Sequence, residues 1–162
     1  MRYLFYVLLI LTALILQITI FAFNPVWGIT PDLLLIVVIS LALLNGHRQG
    51  AYIGFIAGIF QEIFSSGLFG INIIIKLTFG YIFGFFKGKV YSENILLPLS
   101  LVAVATFLNQ FLIICLSDHI ILKSEFLDQF KDVIAPLTGY HVLLSLVIYP
   151  AVYYIDEKYL LR

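Results

Sequence analysis

The sequence predicts an all-α polytopic membrane protein, a bundle of about six transmembrane helices. Three observations carry this. Of 162 residues, 62% are hydrophobic and only 11% charged, with mean hydropathy +1.09. An ordinary soluble domain has roughly 25% charged residues. The apolar residues fall into runs at 3–23, 31–46, 50–64, 70–86, 95–116 and 135–155, separated by polar or turn-forming segments; these are lengths of the order that a hydrocarbon core requires. Two neighbouring runs carry glycine at every fourth position, a spacing that costs helix propensity in water but permits close backbone approach in lipid. The length allows a single integral membrane domain over 1–162 and no sizeable soluble one.

Composition also bounds the function. Formal net charge is zero, which argues against a nucleic-acid partner. Cys115 is the single cysteine, so a disulfide framework is excluded and a small buried hydrophobe is expected.

The run 3–23 follows Arg2. It is too long for a signal-peptide core and no small-x-small site follows it, so it is expected to stay as the first helix. Gln17 within it is expected to make an interhelical hydrogen bond. The stretch 24–32 reads as a loop on its turn chemistry, with Trp27 at the membrane interface. Thr30-Pro31-Asp32 opens the second helix, with Thr30 as cap, Pro31 in the first position and Asp32 facing the positive end of the helix dipole. This helix is short for a span: it tilts little, packs inside protein, or borrows Asn45 and Gly46. Asn45-Gly46-His47-Arg48-Gln49 reads as a polar turn before a third helix beginning at Gly50.

Gly50, Gly54, Gly58 and Glu62 form a stripe on the third helix, and Lys76, Gly80, Gly84 and Gly88 form one on the fourth. Ser65-Ser66-Gly67 reads as the turn between them. A hairpin sets the stripes together, with Gly50, Gly54, Gly58, Gly80 and Gly84 packing the helices and both charges toward the turn. A charge at mid-membrane costs roughly 2.5–3.5 kcal/mol on insertion scales, so Glu62 and Lys76 each need a partner or an aqueous route. They form an ion pair that fixes register, or a substrate or proton site, or Glu62 caps the turn and never meets Lys76. The ion pair is preferred over the site, because a transport relay shows more than one such pair.

Lys87-Gly88-Lys89 closes the fourth helix with positive charge. The fifth, 95–116, has Pro98 in its first turn, with Asn109 and Gln110 as polar groups. The segment 117–132 is amphipathic: Leu122, Phe126, Phe130 and Val133 mark one helical face, lying on the membrane interface or over the domain itself. The sixth, 135–155, carries Pro150 as an expected kink, and a short polar tail follows. Six spans put both termini on one side with Arg2, Arg48, Lys87, Lys89, Lys158 and Arg162, against Lys123 and Lys131 opposite. That bias places both termini in the cytoplasm.

Chemistry-bearing constellations are sparse. Asp32 reads as a helix N-terminal acid or as an acceptor for a partner's basic residue. His47, His119 and His141 are not at ligand spacing, so no metal is expected. No nucleophile arrangement and no phosphate-binding loop is visible. No catalytic or cofactor-binding residue is therefore expected.

Pro31-Asp32-Leu33-Leu34-Leu35, followed in order by Gly50, Gly54-Phe55, Gly58, Gln61-Glu62, Ser65-Ser66-Gly67, Gly70-Ile71-Asn72, Gly80-Tyr81 and Gly84, resembles the MreD family of rod shape-determining membrane proteins. The resemblance covers 31–88. It departs at Glu62, where aspartate is expected as often, and at Lys76, which is not a family feature. It implies a non-enzymatic component of the bacterial cell-elongation machinery in the cytoplasmic membrane, working beside MreC, the actin-like MreB, RodA and a class B penicillin-binding protein to place lateral peptidoglycan synthesis. MreC would be held through its membrane helix, with Asp32, Glu62, Ser65, Ser66, Gly67 and the amphipathic segment as the candidate surface, in contact with membrane lipid. The alternative is a substrate-binding subunit of an energy-coupling-factor type transporter, also small with about six spans and comparable in fold. Those carry Ala-x-x-x-Ala stripes on the first helix; here that helix has Ala13 and Ala22, and Gln17, Asn72, Asn109 and Gln110 are scattered.

Overall fold

The computed structural model describes residues 2–26, 28–65, 69–89, 96–116 and 130–156. Trp27, Ser66, Gly67, most of the amphipathic segment (117–129) and the tail after Asp156 lie outside the described residues. Helix α1 is Arg2–Leu16, continued by a wide π turn, Gln17–Phe21; α2 is Leu33–Asn45; α3 is His47–Ile63. Helix α4 is Ile71–Phe83 with a tightened last turn, Gly84–Phe86; α5 is Leu96–Leu116; α6 is Ala135–Ile155, entered through a π turn, Phe130–Ile134. Helices keep every peptide group bonded within the segment, which hydrocarbon demands.

Helix α2 is the axis. Every residue from Leu33 to Leu43 is buried, and α1, α3, α4, α5 and α6 all pack against it. An all-round apolar helix is what a central position needs. Its 13 residues rise about 20 Å, against a hydrocarbon thickness of about 30 Å. Of the three fates open to this short helix, enclosure in protein is the one observed.

The surrounding helices bury one face each. Tyr6, Ile10, Ala13 and Leu14 do so on α1; Val102, Ala105, Thr106 and Asn109 on α5; Leu137, His141, Ser145, Tyr149 and Val152 on α6. These spacings of three and four keep one helical side inward. Leu4, Leu8 and Ile15, Val104, and Leu143 and Val147 point outward, as a hydrocarbon surrounding favours. Among the described residues, Arg2–Phe21, Leu96–Ile113 and Asp132–Ile155 are long and apolar enough to cross a membrane, and Leu33–Asn45 and Ile71–Phe86 are shorter apolar helices. Helix α6 runs through Pro150 without ending there.

Two local expectations are corrected. The cap of α2 is Asp32, not Thr30: Asp32 Oδ1 accepts the Leu35 N–H at 3.0 Å. Starting the helix at Leu33 puts the carboxylate itself on an unpaired N–H at the positive helix end. The expected five-residue turn before α3 is one residue, Gly46. At φ 92° it ends α2, donating to the Ala42 carbonyl at 2.8 Å, and accepts from Gly50 N at 2.7 Å as α3 begins at His47. Glycine reaches this conformation without strain, so no longer connection is needed.

Helices α3 and α4 run antiparallel, backbone against backbone. A Cβ at Gly54 would overlap the Lys76 carbonyl, and one at Gly80 the Gly50 carbonyl. A Cβ at Gly58 would stand 2.5 Å from Ile73 Cα, and one at Gly84 would overlap His47. Gly88 stands apart from this contact, at φ 80° with open space around it. Because the neighbouring atoms at the contact are mostly backbone, relief requires the helices to separate. Gly54→Ala and Gly80→Ala are each expected to lower stability by about 1–3 kcal/mol, measured as a fall in Tm in detergent. Gly139→Ala on α6, where an added Cβ meets nothing within 4 Å, should leave Tm unchanged or raised.

Candidate functional site: polar networks at the two ends of α2

The first peptide N–H groups of a helix have no intrahelical partner. In α2 they are buried, and other helices supply acceptors. The Asp32 N–H donates to His141 Nε2 on α6 at 2.8 Å, and the Leu34 N–H to Gln17 Oε1, in the π turn that continues α1, at 3.3 Å. Gln17 thus makes an interhelical hydrogen bond.

The Asp32 carboxylate does three things at once. Oδ1 caps Leu35, while Oδ2 accepts Lys76 Nζ from α4 at 2.8 Å and Gln61 Nε2 from α3 at 3.3 Å. The Lys76 side chain is 1% exposed and that of Asp32 16%. A buried charge without a counter-charge is strongly unfavourable, so each of these two groups requires the other.

His141 fixes its own protonation state through geometry. Nε2 receives the Asp32 N–H and so carries no proton; Nδ1 is the protonated nitrogen and faces Thr106 Oγ1 on α5 at 2.8 Å. Thr106 passes the polarity on by donating to the Val102 carbonyl at 2.8 Å. A second proton on His141 would set a donor against the Asp32 N–H. The network therefore draws on all six described helices or their ends: Gln17, Asp32, Gln61, Lys76, Thr106 and His141.

The expected Glu62–Lys76 pair is not formed. Among the described residues, Lys76 pairs with Asp32. Glu62 instead accepts the Gly70 N–H at 2.9 Å and the Asn72 N–H at 3.1 Å, capping the start of α4. Its carboxylate satisfies two unpaired peptide donors beside the positive helix end, while Lys76 points across the hairpin toward α2. The idea that Glu62 acts as a cap without meeting Lys76 is nearest to what is observed, with the helix rather than the turn as its target. Asp32, considered as an acceptor for a partner's basic residue, already has its oxygens filled by Leu35, Lys76 and Gln61.

The opposite end of α2 has its own network. Tyr6 OH receives Arg2 Nε at 2.6 Å and donates to Asp156 Oδ1 at 2.5 Å. Arg2 also donates to Asn45 Oδ1 and lies 3.6 Å from Asp156 Oδ2. Asn45 Nδ2 donates to the Leu41 carbonyl at 2.9 Å, and Lys87 Nζ to the Asn45 carbonyl at 3.1 Å. The starts of α1 and the ends of α2, α4 and α6 are thereby tied together.

Sequence reading did not single out Tyr6, Thr106 or Asp156, it took Gln61 only as part of the family motif, and it set His141 aside. The available signal was the α6 stripe of His141, Ser145 and Tyr149 at four-residue spacing, which puts polar atoms on a buried face.

Lys76→Met leaves Asp32 without its cation and is expected to cost about 3–5 kcal/mol of stability. In a double-mutant cycle read by thermal unfolding, Asp32→Asn and Lys76→Met should couple by about 1 kcal/mol or more. Glu62→Gln and Lys76→Met should add within about 0.5 kcal/mol.

Residues 1–158 match the family model described as MreD, rod shape-determining protein MreD. No curated protein and no solved structure matches the chain. The family match takes in all six described helices and both networks, well beyond the 31–88 stretch that carries the sequence motifs. The chain belongs to the MreD family of rod shape-determining membrane proteins.

Proposed function

We propose that this protein is a non-enzymatic scaffold of the rod-shape machinery, crossing the bacterial cytoplasmic membrane with both termini in the cytoplasm and holding MreC through its membrane helix. Family membership gives the cell-shape role. The observation that carries the scaffold reading is the use made of the ionisable groups. Asp32 and Glu62 cap helices, Lys76 bridges α4 to α2, and His141 bridges α6 to α2. Their bonding capacity goes into architecture.

The orientation rests on charge. Arg2, Arg48, Lys87 and Lys89 share the end where α1 starts, α2 meets α3 and α4 finishes, whereas Asp32 and Glu62 lie at the other. The positive-inside rule assigns the basic end to the cytoplasm. The partner surface proposed is the outer turn after α3. Ile63, Phe64 and Phe69, the last 88% exposed, surround Ser65, Ser66 and Gly67 in the sequence, and Asp32 and Glu62 brace this face from within. MreB, RodA and a class B penicillin-binding protein complete the assembly in this reading, and lateral peptidoglycan synthesis is what it organises.

Purification of the tagged full-length protein from native membranes should recover MreC. Phe64→Ser with Phe69→Ser should lower that recovery at least about threefold at equal expression, since exposed aromatic anchors dominate such interfaces. Elution with a bound vitamin or an energising ATPase subunit, and without MreC, would contradict the scaffold reading.

A further inference from the structure

The basic end of the bundle combines cations with an ordered aromatic surface. Arg48 and Lys89 are exposed there. Asp156, the acid described at this end, is engaged with Arg2 and Tyr6. Lys89 Nζ lies 5.6 Å over the Phe86 ring, and at the same end of the hairpin the His47 and Phe85 rings stack at 4.6 Å, with an interplanar angle of 1°. The Tyr81 ring stands edge-on to both, at 5.6 Å and 5.0 Å. The packing at Gly50, Gly80 and Gly84 creates this platform, because it presses the first turn of α3 onto the last turn of α4. Arg48 and Tyr52 follow each other by one turn on α3, as Tyr81 and Phe85 do on α4. Tyr52 is 73% exposed.

Moving from these rings toward the middle of the bundle, the exposed surface of the same two helices becomes apolar through Phe55, Ile56 and Leu77. A ligand touching the whole face must carry a negative head and a hydrocarbon chain. Aromatic rings at headgroup depth and cations beside them are the matching protein chemistry. We propose that this face of α3 and α4 binds an anionic phospholipid of the adjoining leaflet. Its phosphate lies against Arg48 and Lys89, and an acyl chain runs along Tyr52, Tyr81 and Phe85. The site depends on the fold and its charge, not on which partner the opposite end holds.

Lys87 is left unchanged in the test, since its Nζ bonds the Asn45 carbonyl and its stem lies against Gly46. The full-length protein in neutral detergent is titrated with phosphatidylglycerol or phosphatidylcholine of identical chains, with bound lipid counted by native mass spectrometry and Tm followed in parallel. Phosphatidylglycerol should bind with about tenfold or greater preference. Arg48→Gln with Lys89→Gln should reduce that preference by about tenfold or more, since each juxtamembrane cation contributes about fivefold. Lys131→Gln, in the π turn that leads into α6 at the other end of the bundle, should leave it intact. Equal binding of the two lipids would overturn the proposal, as would a preference that survives the double substitution or is lost equally in Lys131→Gln. Equal stabilisation by glycerol phosphate without chains would overturn the lipid assignment.

Discussion

A helix that begins inside protein, within a membrane, leaves its first peptide N–H groups beyond the reach of water and of any intrahelical carbonyl. Helix α2 begins in this way, and much of the molecule answers to it. The Asp32 N–H is met by His141, the Leu34 N–H by Gln17, and the Leu35 N–H by the Asp32 carboxylate. That carboxylate brings a charge into the interior, which Lys76 neutralises and Gln61 supports. Each polar group makes the next one necessary, and together they draw the six described helices to one point.

The glycine contact and the ion pair belong to one design. Gly54 packs against the carbonyl of Lys76, so the α4 backbone is held close to α3 at the residue whose side chain reaches across to α2. At the far end Arg2, Tyr6, Asn45, Lys87 and Asp156 repeat the pattern with different residues. Between the two networks the contacts of α2 are apolar and shape-dependent. A central helix fastened at both ends gives the outer helices fixed positions, which suits a platform whose outward faces meet other membrane components.

Much of this was visible in the order of residues. Six apolar runs and two four-residue glycine spacings are local signals, and the helices follow them closely. The motif stretch from Pro31 to Gly84 was also sufficient to indicate the family. The partner of Lys76 was not legible, because a two-helix hairpin offered Glu62 as its neighbour. Asp32 lies 44 residues away and becomes the nearer acid only once α2 is enclosed by the others. His141 looked unremarkable for the same reason: a lone histidine in an apolar helix declares no partner until α5 and α2 are placed on either side. Asn45 read as a turn residue, and its role in joining Arg2 to the end of α2 depends on the chain returning there from α1.

The most direct test is nitrogen NMR of the histidine side chains in the isotopically labelled protein, with His141 assigned by substitution. His141 should be the neutral tautomer protonated on Nδ1, with Nε2 bare and showing a nitrogen–nitrogen coupling to the Asp32 amide across the hydrogen bond. A proton on Nε2, or a ring titrating freely with the buffer and uncoupled from Asp32, would mean that the start of α2 is not held from α6. The enclosed central helix would then have to be given up.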